Sequence, residues 1–122
     1  MLMRQKIVAI VDDDPSMLGA TKELLEASGF ATRLFVSAEE FLDRGAASEV
    51  DCLLLDIHLG GMSGIELRRT LEASGSELPV IFVTALDDEG TRQQAQKAGF
   101  AAFLRKPYSA RQLFDAIENA VP

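Results

Sequence analysis

The chain has 122 residues, 48% of them hydrophobic, which suits one domain with a single core and is too short for two. Its 19 acidic and 12 basic residues give a formal net charge of -7, which argues against a nucleic-acid-binding surface of clustered Lys and Arg. The single cysteine, Cys52, excludes an internal disulfide, and no apolar run approaches the about 20 residues of a membrane span. We therefore expect a cytoplasmic protein without membrane or nucleic-acid contact of its own.

The chain alternates short apolar runs with amphipathic segments, which predicts five strand–helix units. The apolar runs are bounded by turn residues, as is typical of buried strands. The amphipathic segments carry apolar side chains at helical spacing, with Ser, Asp, Pro or Gly where helices begin and end. In chain order we predict a strand over 7–11, a helix over 15–28, a strand over 31–36, a helix capped by Ser37 and ending by Gly45, a strand over 50–55, a helix over 64–74, a strand over 79–83, a helix over 88–98, a strand over 101–104 and a helix capped by Ser109.

Three helix starts and faces bear on the later argument. Asp14 stands before a proline at the first helical turn, so we interpret it as an N-cap rather than a metal ligand. Ser37 and Glu40 have the spacing of a capping box, in which the glutamate reaches back to the backbone of the cap. The fourth helix offers only Ala95 and Ala98 as good core residues, so few apolar contacts would hold it.

Continuous apolar strands that alternate with helices predict a parallel sheet covered on both faces. Right-handed crossovers then make this a doubly wound α/β sandwich, whose ligands bind at the carboxyl ends of the strands. At these ends the sequence places carboxylates, a hydroxyl and an ammonium group. They are Asp12 and Asp13 after the first strand, Asp56 after the third, Thr84 at the end of the fourth and Lys106 after the fifth.

The predicted chemistry follows from this collection of groups. Each like-charged carboxylate pair at about 5 Å costs roughly 3 kcal/mol at an effective dielectric near 20. A hard divalent cation relieves this repulsion, and Mg²⁺ fits best, with Mn²⁺ as the alternative. A cation beside Asp56 and Lys106 favours phosphoryl transfer with the aspartate as nucleophile. The sequence contains no Gly-rich nucleotide loop, so we expect the phosphoryl donor not to be a nucleotide bound here.

Four segments resemble the signature blocks of the receiver domain of bacterial two-component response regulators, in the family's order and spacing. They are IVAIVDDDPSM (7–17), LLLDIHLGGMSGIEL (53–67), VIFVTA (80–85) and FLRKPY (103–108). The resemblance covers essentially the whole chain and implies a (βα)5 flavodoxin-like fold with strand order 2-1-3-4-5. It also implies that residues 1–122 are one receiver domain with no output domain in this chain. Such a domain is a signalling module that catalyses only its own phosphorylation and dephosphorylation.

The resemblance implies a role for each matching residue of the acidic pocket. Asp56 matches the aspartate that receives the phosphoryl group. Asp12 and Asp13 match the acidic pair that holds magnesium together with Asp56, with Asp13 binding directly and Asp12 mostly through water. The backbone carbonyl of His58 matches the remaining metal ligand. The family's Lys-Pro bond is typically cis, so we expect a cis peptide at Lys106–Pro107.

The resemblance also implies a switch. Thr84 and Lys106 match the hydroxyl and the ammonium that bind the new phosphoryl group. Phe103 matches the aromatic residue that moves inward on activation, which would change the surface around the fourth helix, the fifth strand and the fifth helix. The side chains of His58 and Leu86 stand at positions that affect dephosphorylation in the family, so a tuning role is a further hypothesis. The simpler alternative is that His58 is an exposed loop residue that contributes only its backbone carbonyl to the metal site.

The expected partners are a histidine kinase or a histidine phosphotransfer protein as donor, and an output domain or downstream protein as receiver of the signal. The resemblance also implies a possible homodimer that forms on phosphorylation, as in other members of the family. One departure from the family is Gly60, which stands beside Gly61 where many relatives have proline. Two adjacent glycines would loosen the loop that carries the metal carbonyl and lower its rigidity.

Three other functions are weaker interpretations of the same sequence. A magnesium-dependent phosphohydrolase would need a second catalytic aspartate two residues after Asp56, where His58 stands, and usually a cap domain. A receiver used only for binding would lack an Asp or the Lys of the pocket, and none is missing. A flavin carrier on the same fold would hold a flavin phosphate, for which an acidic pocket is a poor match.

Overall fold

The computed structural model describes residues 5–121. Within this range strands and α-helices alternate, with one short 3-10 helix in addition. The elements are β1 (Ile7–Val11), α1 (Pro15–Ala27), β2 (Ala31–Phe35), α2 (Ala38–Asp43), the 3-10 helix Ala46–Ser48, β3 (Cys52–Asp56), α3 (Gly64–Ala73), β4 (Val80–Thr84), α4 (Glu89–Ala98), β5 (Ala102–Arg105) and α5 (Ala110–Ala120). None of these helices is long and apolar enough to cross a membrane.

The five strands form one parallel sheet in the order β2-β1-β3-β4-β5, which confirms the predicted topology. Alternate residues of each strand point to opposite faces, as Leu53 and Leu54 of β3 illustrate. One face packs against α1 and α5, through residues such as Leu25 and Ile117. The other face packs against α2, α3 and α4, and includes Phe41. The sheet is therefore covered on both sides, and its functional edge is the row of carboxyl ends.

The bounds of β3 differ most from the sequence prediction, whereas those of β2, β4 and β5 differ from it by one residue at one or both ends. β3 begins at Cys52 rather than residue 50, and it includes Asp56, which was expected to follow it. Val50 is buried although it lies outside the strand, so its apolar character reflects burial rather than strand pairing. Pairing continues to Asp56 because the next backbone N–H, that of Ile57, donates to the carbonyl of Val83 in β4. The backbone of Asp56 is thus held by the sheet itself.

The helix caps follow the sequence closely, with one correction. The side chain of Asp14 accepts from the backbone N–H of Ser16, which confirms it as the N-cap of α1. Ser37 caps α2, but Glu40 accepts from the N–H of Val36 at 3.2 Å and not from that of Ser37. The predicted capping box is therefore wrong in its second half. Two complete capping boxes start α3 and α5, formed by Ser63 with Glu66 and by Ser109 with Gln112.

Candidate functional site

The strand order brings the predicted acidic residues together. β1 and β3 are neighbours in the sheet, so Asp12, directly after β1, lies beside Asp56 at the end of β3. Asp13 follows Asp12 around the same turn. One carboxylate oxygen from each of the three residues lies within 4.8 Å of the others. Only 7% of Asp12 and 9% of Asp56 is exposed, whereas Asp13 is exposed.

Each carboxylate of this acidic pocket is oriented by a backbone N–H group. The three hydrogen bonds run from Asp14 N–H to Asp12 Oδ1 at 2.9 Å, from Gly60 N–H to Asp13 Oδ2 at 3.1 Å and from His58 N–H to Asp56 Oδ1 at 3.0 Å. Hydrogen bonds to an ionised acceptor are stronger than neutral ones, so they limit the rotation of the carboxylates. The pocket is thus ordered by its own backbone.

Lys106 supplies the positive charge. Its Nζ lies 3.0 Å from Asp56 Oδ2 and 3.2 Å from Asp12 Oδ2, so one ammonium bonds two carboxylates from neighbouring strands. The backbone N–H of Lys106 donates to the carbonyl of Thr84 at 2.8 Å, which ties the lysine to the end of β4. The Lys106–Pro107 peptide bond is cis, as expected from the sequence.

The two members of the central ion pair respond differently to burial. Burial raises the pKa of the Asp56 carboxyl above its ordinary range, and this outweighs the lowering effect of the Lys106 ammonium and the His58 N–H. Burial by itself lowers the pKa of Lys106, but hydrogen bonds and charge from Asp56 and Asp12 together raise it. Lys106 therefore stays cationic at neutral pH, and Asp56 is a stronger base than an exposed aspartate.

The pocket fits a hard divalent cation by charge and by donor type. Three carboxylates and one ammonium carry a charge of -3 + 1 = -2 when all are ionised, which equals in size the charge of one Mg²⁺ or Mn²⁺. All the side-chain donors are oxygens, the ligands that Mg²⁺ prefers. Asp12, Asp13 and Asp56 could hold such an ion, and the backbone carbonyl of His58 lies in the loop that begins directly after β3.

Thr84 lies at the end of β4 and is fully buried. Its hydroxyl donates to the carbonyl of Leu86 at 2.9 Å and accepts from the N–H of Leu86 at 3.0 Å. The hydroxyl is therefore bonded to the loop between β4 and α4, and it would have to leave Leu86 in order to bind a phosphoryl oxygen. The Leu86 side chain itself is 55% exposed.

Phe103 of β5 is half-buried beneath an arginine that the sequence analysis missed. The guanidinium of Arg92 lies 5.1 Å from the centre of the Phe103 ring, within the range of a cation–π contact. The same guanidinium donates to both carboxylate oxygens of Asp87, at 2.8 and 2.9 Å. No short-range sequence pattern indicates these contacts of Arg92, because an arginine in a polar helix is usually interpreted as a solvent-exposed residue.

His58 is exposed, and its backbone is better defined in role than its side chain. Its backbone N–H donates to Asp56 Oδ1 at 3.0 Å. The pKa of Asp88 is lowered first by the N–H of Thr91 and, to a smaller extent, by His58. The His58 side chain thus has a weak electrostatic influence at the start of α4, where Asp88 is the N-cap.

Comparison with known proteins places this arrangement in a family. The sequence profile of the response regulator receiver domain matches residues 8–118, which is most of the chain. The transcriptional regulatory protein TdiR of Thauera aromatica is 36% identical over 114 residues, covering 93% of this chain and 50% of TdiR. The response regulator protein TodT of Pseudomonas putida is 34% identical over 118 residues, covering 97% of this chain and 52% of TodT. The chain thus spans about half the length of these curated relatives.

The fold is also similar to that of a solved receiver structure. The crystal structure of FixJ-N has 34% sequence identity and a TM-score of 0.87, with 97% of this chain and 94% of that chain covered. Sequence and structure agree with the family that the four motifs indicated. The chain belongs to the receiver domains of two-component response regulators, which are phosphorylation-activated signalling modules.

Proposed function

We propose that residues 1–122 form a single receiver domain that accepts a phosphoryl group on Asp56 in a magnesium-dependent reaction. The donor is a histidine kinase or a histidine phosphotransfer protein. One observation carries the proposal most directly: the Asp56 carboxylate lies at the end of a buried strand, 3.0 Å from the Lys106 ammonium and grouped with two further carboxylates. An aspartate that merely ended a strand at the surface would not be buried beside an ammonium group and two further carboxylates.

The transfer step uses the groups of the pocket. A carboxylate oxygen of Asp56 forms a bond to phosphorus as the bond from phosphorus to the donor's histidine nitrogen breaks, and the imidazole keeps that electron pair. The N–H of His58 orients the Asp56 carboxylate, and Lys106 neutralises negative charge on the transferred group. Mg²⁺ when bound supplies further neutralisation of the phosphoryl oxygens, and Mn²⁺ can replace it. Asp12, Asp13, Asp56 and the His58 carbonyl would hold the ion.

The proposed output is a change around α4, β5 and α5. After phosphorylation, Thr84 exchanges its two hydrogen bonds to Leu86 for one to a phosphoryl oxygen, and Phe103 moves inward. Two features support this. Leu86 leads directly into α4, and α4 buries only Ala95 and Ala98, so little apolar packing resists its displacement. His58 and Leu86 at the rim of the pocket are the proposed residues that tune the lifetime of the phosphoryl group.

The partner that reads this surface is proposed to be an output domain or a separate downstream protein. TdiR is named a transcriptional regulatory protein, and this chain matches half of it, so a regulator of that kind is consistent with the comparison. The net charge of -7 supports the view that these residues do not bind DNA themselves. A phosphorylation-dependent homodimer and a cytoplasmic location stay predictions.

Intact-protein mass spectrometry tests the function without a partner. The protein is incubated with a small phosphodonor, with and without Mg²⁺, as wild type, as Asp56→Asn and as Asp14→Asn. The last variant is a matched control, because asparagine at Asp14 keeps the helix cap. We expect one phosphoryl adduct on wild type and Asp14→Asn, only with Mg²⁺, and none on Asp56→Asn. An adduct on Asp56→Asn, or one that forms equally without Mg²⁺, would contradict the proposal.

A further inference from the structure

The loop between β3 and α3 is more ordered than its two glycines suggest. Three alternate backbone N–H groups of this loop each donate to a different carboxylate, two of which are distant in the chain. The pairs are His58 with Asp56 at 3.0 Å, Gly60 with Asp13 at 3.1 Å and Met62 with Glu39 at 2.9 Å. Two of these acceptors belong to the acidic pocket. The third, Glu39, lies outside it and has no role in the proposed function.

Glu39 fits closely against the loop backbone. Gly61 has a positive φ of 75°, and a Cβ added there would lie 2.6 Å from Glu39 Oε2. The space that a side chain at position 61 would need is therefore occupied by the Glu39 carboxylate. This close approach is a second reason, besides the φ angle, why position 61 requires glycine. It also shows that the contact of Glu39 is with the backbone of the loop.

Helix α2 holds Glu39 in place although the side chain is exposed. Ala38 and Phe41, on either side of Glu39 in sequence, are buried in the core, and the Phe41 ring packs edge-on against Phe35 at 5.1 Å. Ser37 caps the helix at the same end. The hydrogen bond from the Met62 N–H also lowers the pKa of Glu39, so the carboxylate is ionised at neutral pH and accepts strongly.

We infer that Glu39 is a positioning residue for the proposed magnesium site. Its bond to Met62 holds the far end of the loop, so that the His58 carbonyl and Asp13 keep their places for the ion. Glu39 does not belong to the cluster of carboxylates that could hold the ion, and its Oε2 is bound to the loop backbone. The inference rests on the proposed function, and it explains how a loop with two adjacent glycines can carry a metal ligand.

The test is a titration of ¹⁵N-labelled protein with MgCl₂, followed by amide chemical shifts. The variants are Glu39→Ala, Glu39→Gln and Asp43→Ala, in which the last removes the same charge from an exposed site at the end of α2. We expect Glu39→Ala to raise the Kd for Mg²⁺ about fivefold, the size that loss of one hydrogen bond to a charged group allows. Glu39→Gln keeps an acceptor oxygen, so its Kd should stay within about twofold of wild type, as should that of Asp43→Ala.

A second measurement separates positioning from general stability and from charge. In metal-free protein, hydrogen exchange at the Met62 amide should speed up in Glu39→Ala, with the melting temperature little changed. An unchanged Kd in Glu39→Ala would overturn the inference, and so would equal weakening in Glu39→Ala and Glu39→Gln, which would indicate a charge effect. If wild-type protein itself fails to bind Mg²⁺, the proposed function fails and the inference falls with it, an outcome distinct from the other two.

Discussion

The three carboxylates of the acidic pocket are neutralised in different ways. The single ammonium of Lys106 bonds Asp12 and Asp56, the two buried carboxylates. Asp13 is exposed, and its Oδ2 accepts the N–H of Gly60. The negative charge of Asp13 is therefore balanced mainly by solvent. Of the three carboxylates, Asp13 is the one whose charge a bound cation would neutralise most directly.

Replacing Asp13 by asparagine tests this arrangement. The variant keeps an acceptor oxygen for Gly60 but removes one of three repelling charges. We expect the metal-free melting temperature to rise by about 2–5 °C, a range that allows for screening at an exposed site. We also expect Mg²⁺ to stabilise the variant less than wild type. If Asp13→Asn and wild type melt at the same temperature both in metal-free buffer and with Mg²⁺, Asp13 is not part of the cluster.

Cys52 offers a test of the buried sheet that is independent of the pocket. Burial raises the pKa of its thiol from 9.0 to about 12. Since the folded pKa lies above the unfolded one, the unfolded chain releases this proton first, and stability falls as the pH rises from about 9 towards 12. Iodoacetamide at pH 8 should therefore label native protein at least about 100-fold more slowly than urea-unfolded protein. Similar rates would mean that β3 opens readily.

The residues that gather at the strand ends could be predicted from sequence, whereas the contacts that hold the neighbouring loop could not. Asp56, Thr84 and Lys106 each stand in or beside a strand end, and apolar runs reveal strand ends. Glu39 gave no such indication, because a glutamate in the first helical turn already has a local explanation. Its contact with Met62, 23 residues away, depends on how α2 packs, which no local pattern contains.

The strands and helices followed their local patterns except where tertiary contacts took over. Apolar runs and capping residues placed all five strand–helix units, since periodicity and turn chemistry act locally. β3 was shifted by two residues at its start because Val50 is buried without pairing. Glu40 reaches Val36 instead of Ser37, which is a choice between two nearby donors that sequence spacing cannot decide.

The start of α3 lies against the end of β3 so closely that only glycine fits. A Cβ added to Gly64 would clash with the backbone carbonyl oxygen of Asp56. We therefore expect Gly64→Ala to lower the free energy of unfolding by about 2 kcal/mol or more, measured by urea denaturation. Because the clash falls on Asp56, the proposed phosphoacceptor, phosphorylation by a small donor should slow as well.

Gly19→Ala is the matched control for this change. Gly19 lies within α1, and a Cβ there meets no atom within 4 Å other than those of its chain neighbours and its own helix backbone. Alanine is the better helix former, so this variant should gain about 0.5–1 kcal/mol. Equal effects of the two substitutions would show that helix propensity, and not the contact with Asp56, decides the role of Gly64.

The whole molecule acts as a frame that gathers distant residues at one edge of the sheet. Lys106 and Asp12 are 94 positions apart in the chain, and Lys106 and Asp56 are 50 apart, yet one ammonium bonds both carboxylates. The doubly wound topology achieves this by ending β1, β3 and β5 at the same edge. The strand ends proposed to bind the phosphoryl group include those of β4 and β5, which lead into α4 and α5, so the proposed signal has a short distance to travel.

The central claim is that Asp56 itself becomes the acyl phosphate. The most direct measurement is reduction of the phosphorylated protein with borohydride, which converts an aspartyl phosphate to homoserine, followed by peptide sequencing with mass spectrometry. We predict homoserine at position 56 after treatment with a small phosphodonor and Mg²⁺, and aspartate there when either is omitted. Homoserine at position 12 or 13 with position 56 unchanged, or a stable phosphoryl group elsewhere in the chain, would contradict this account.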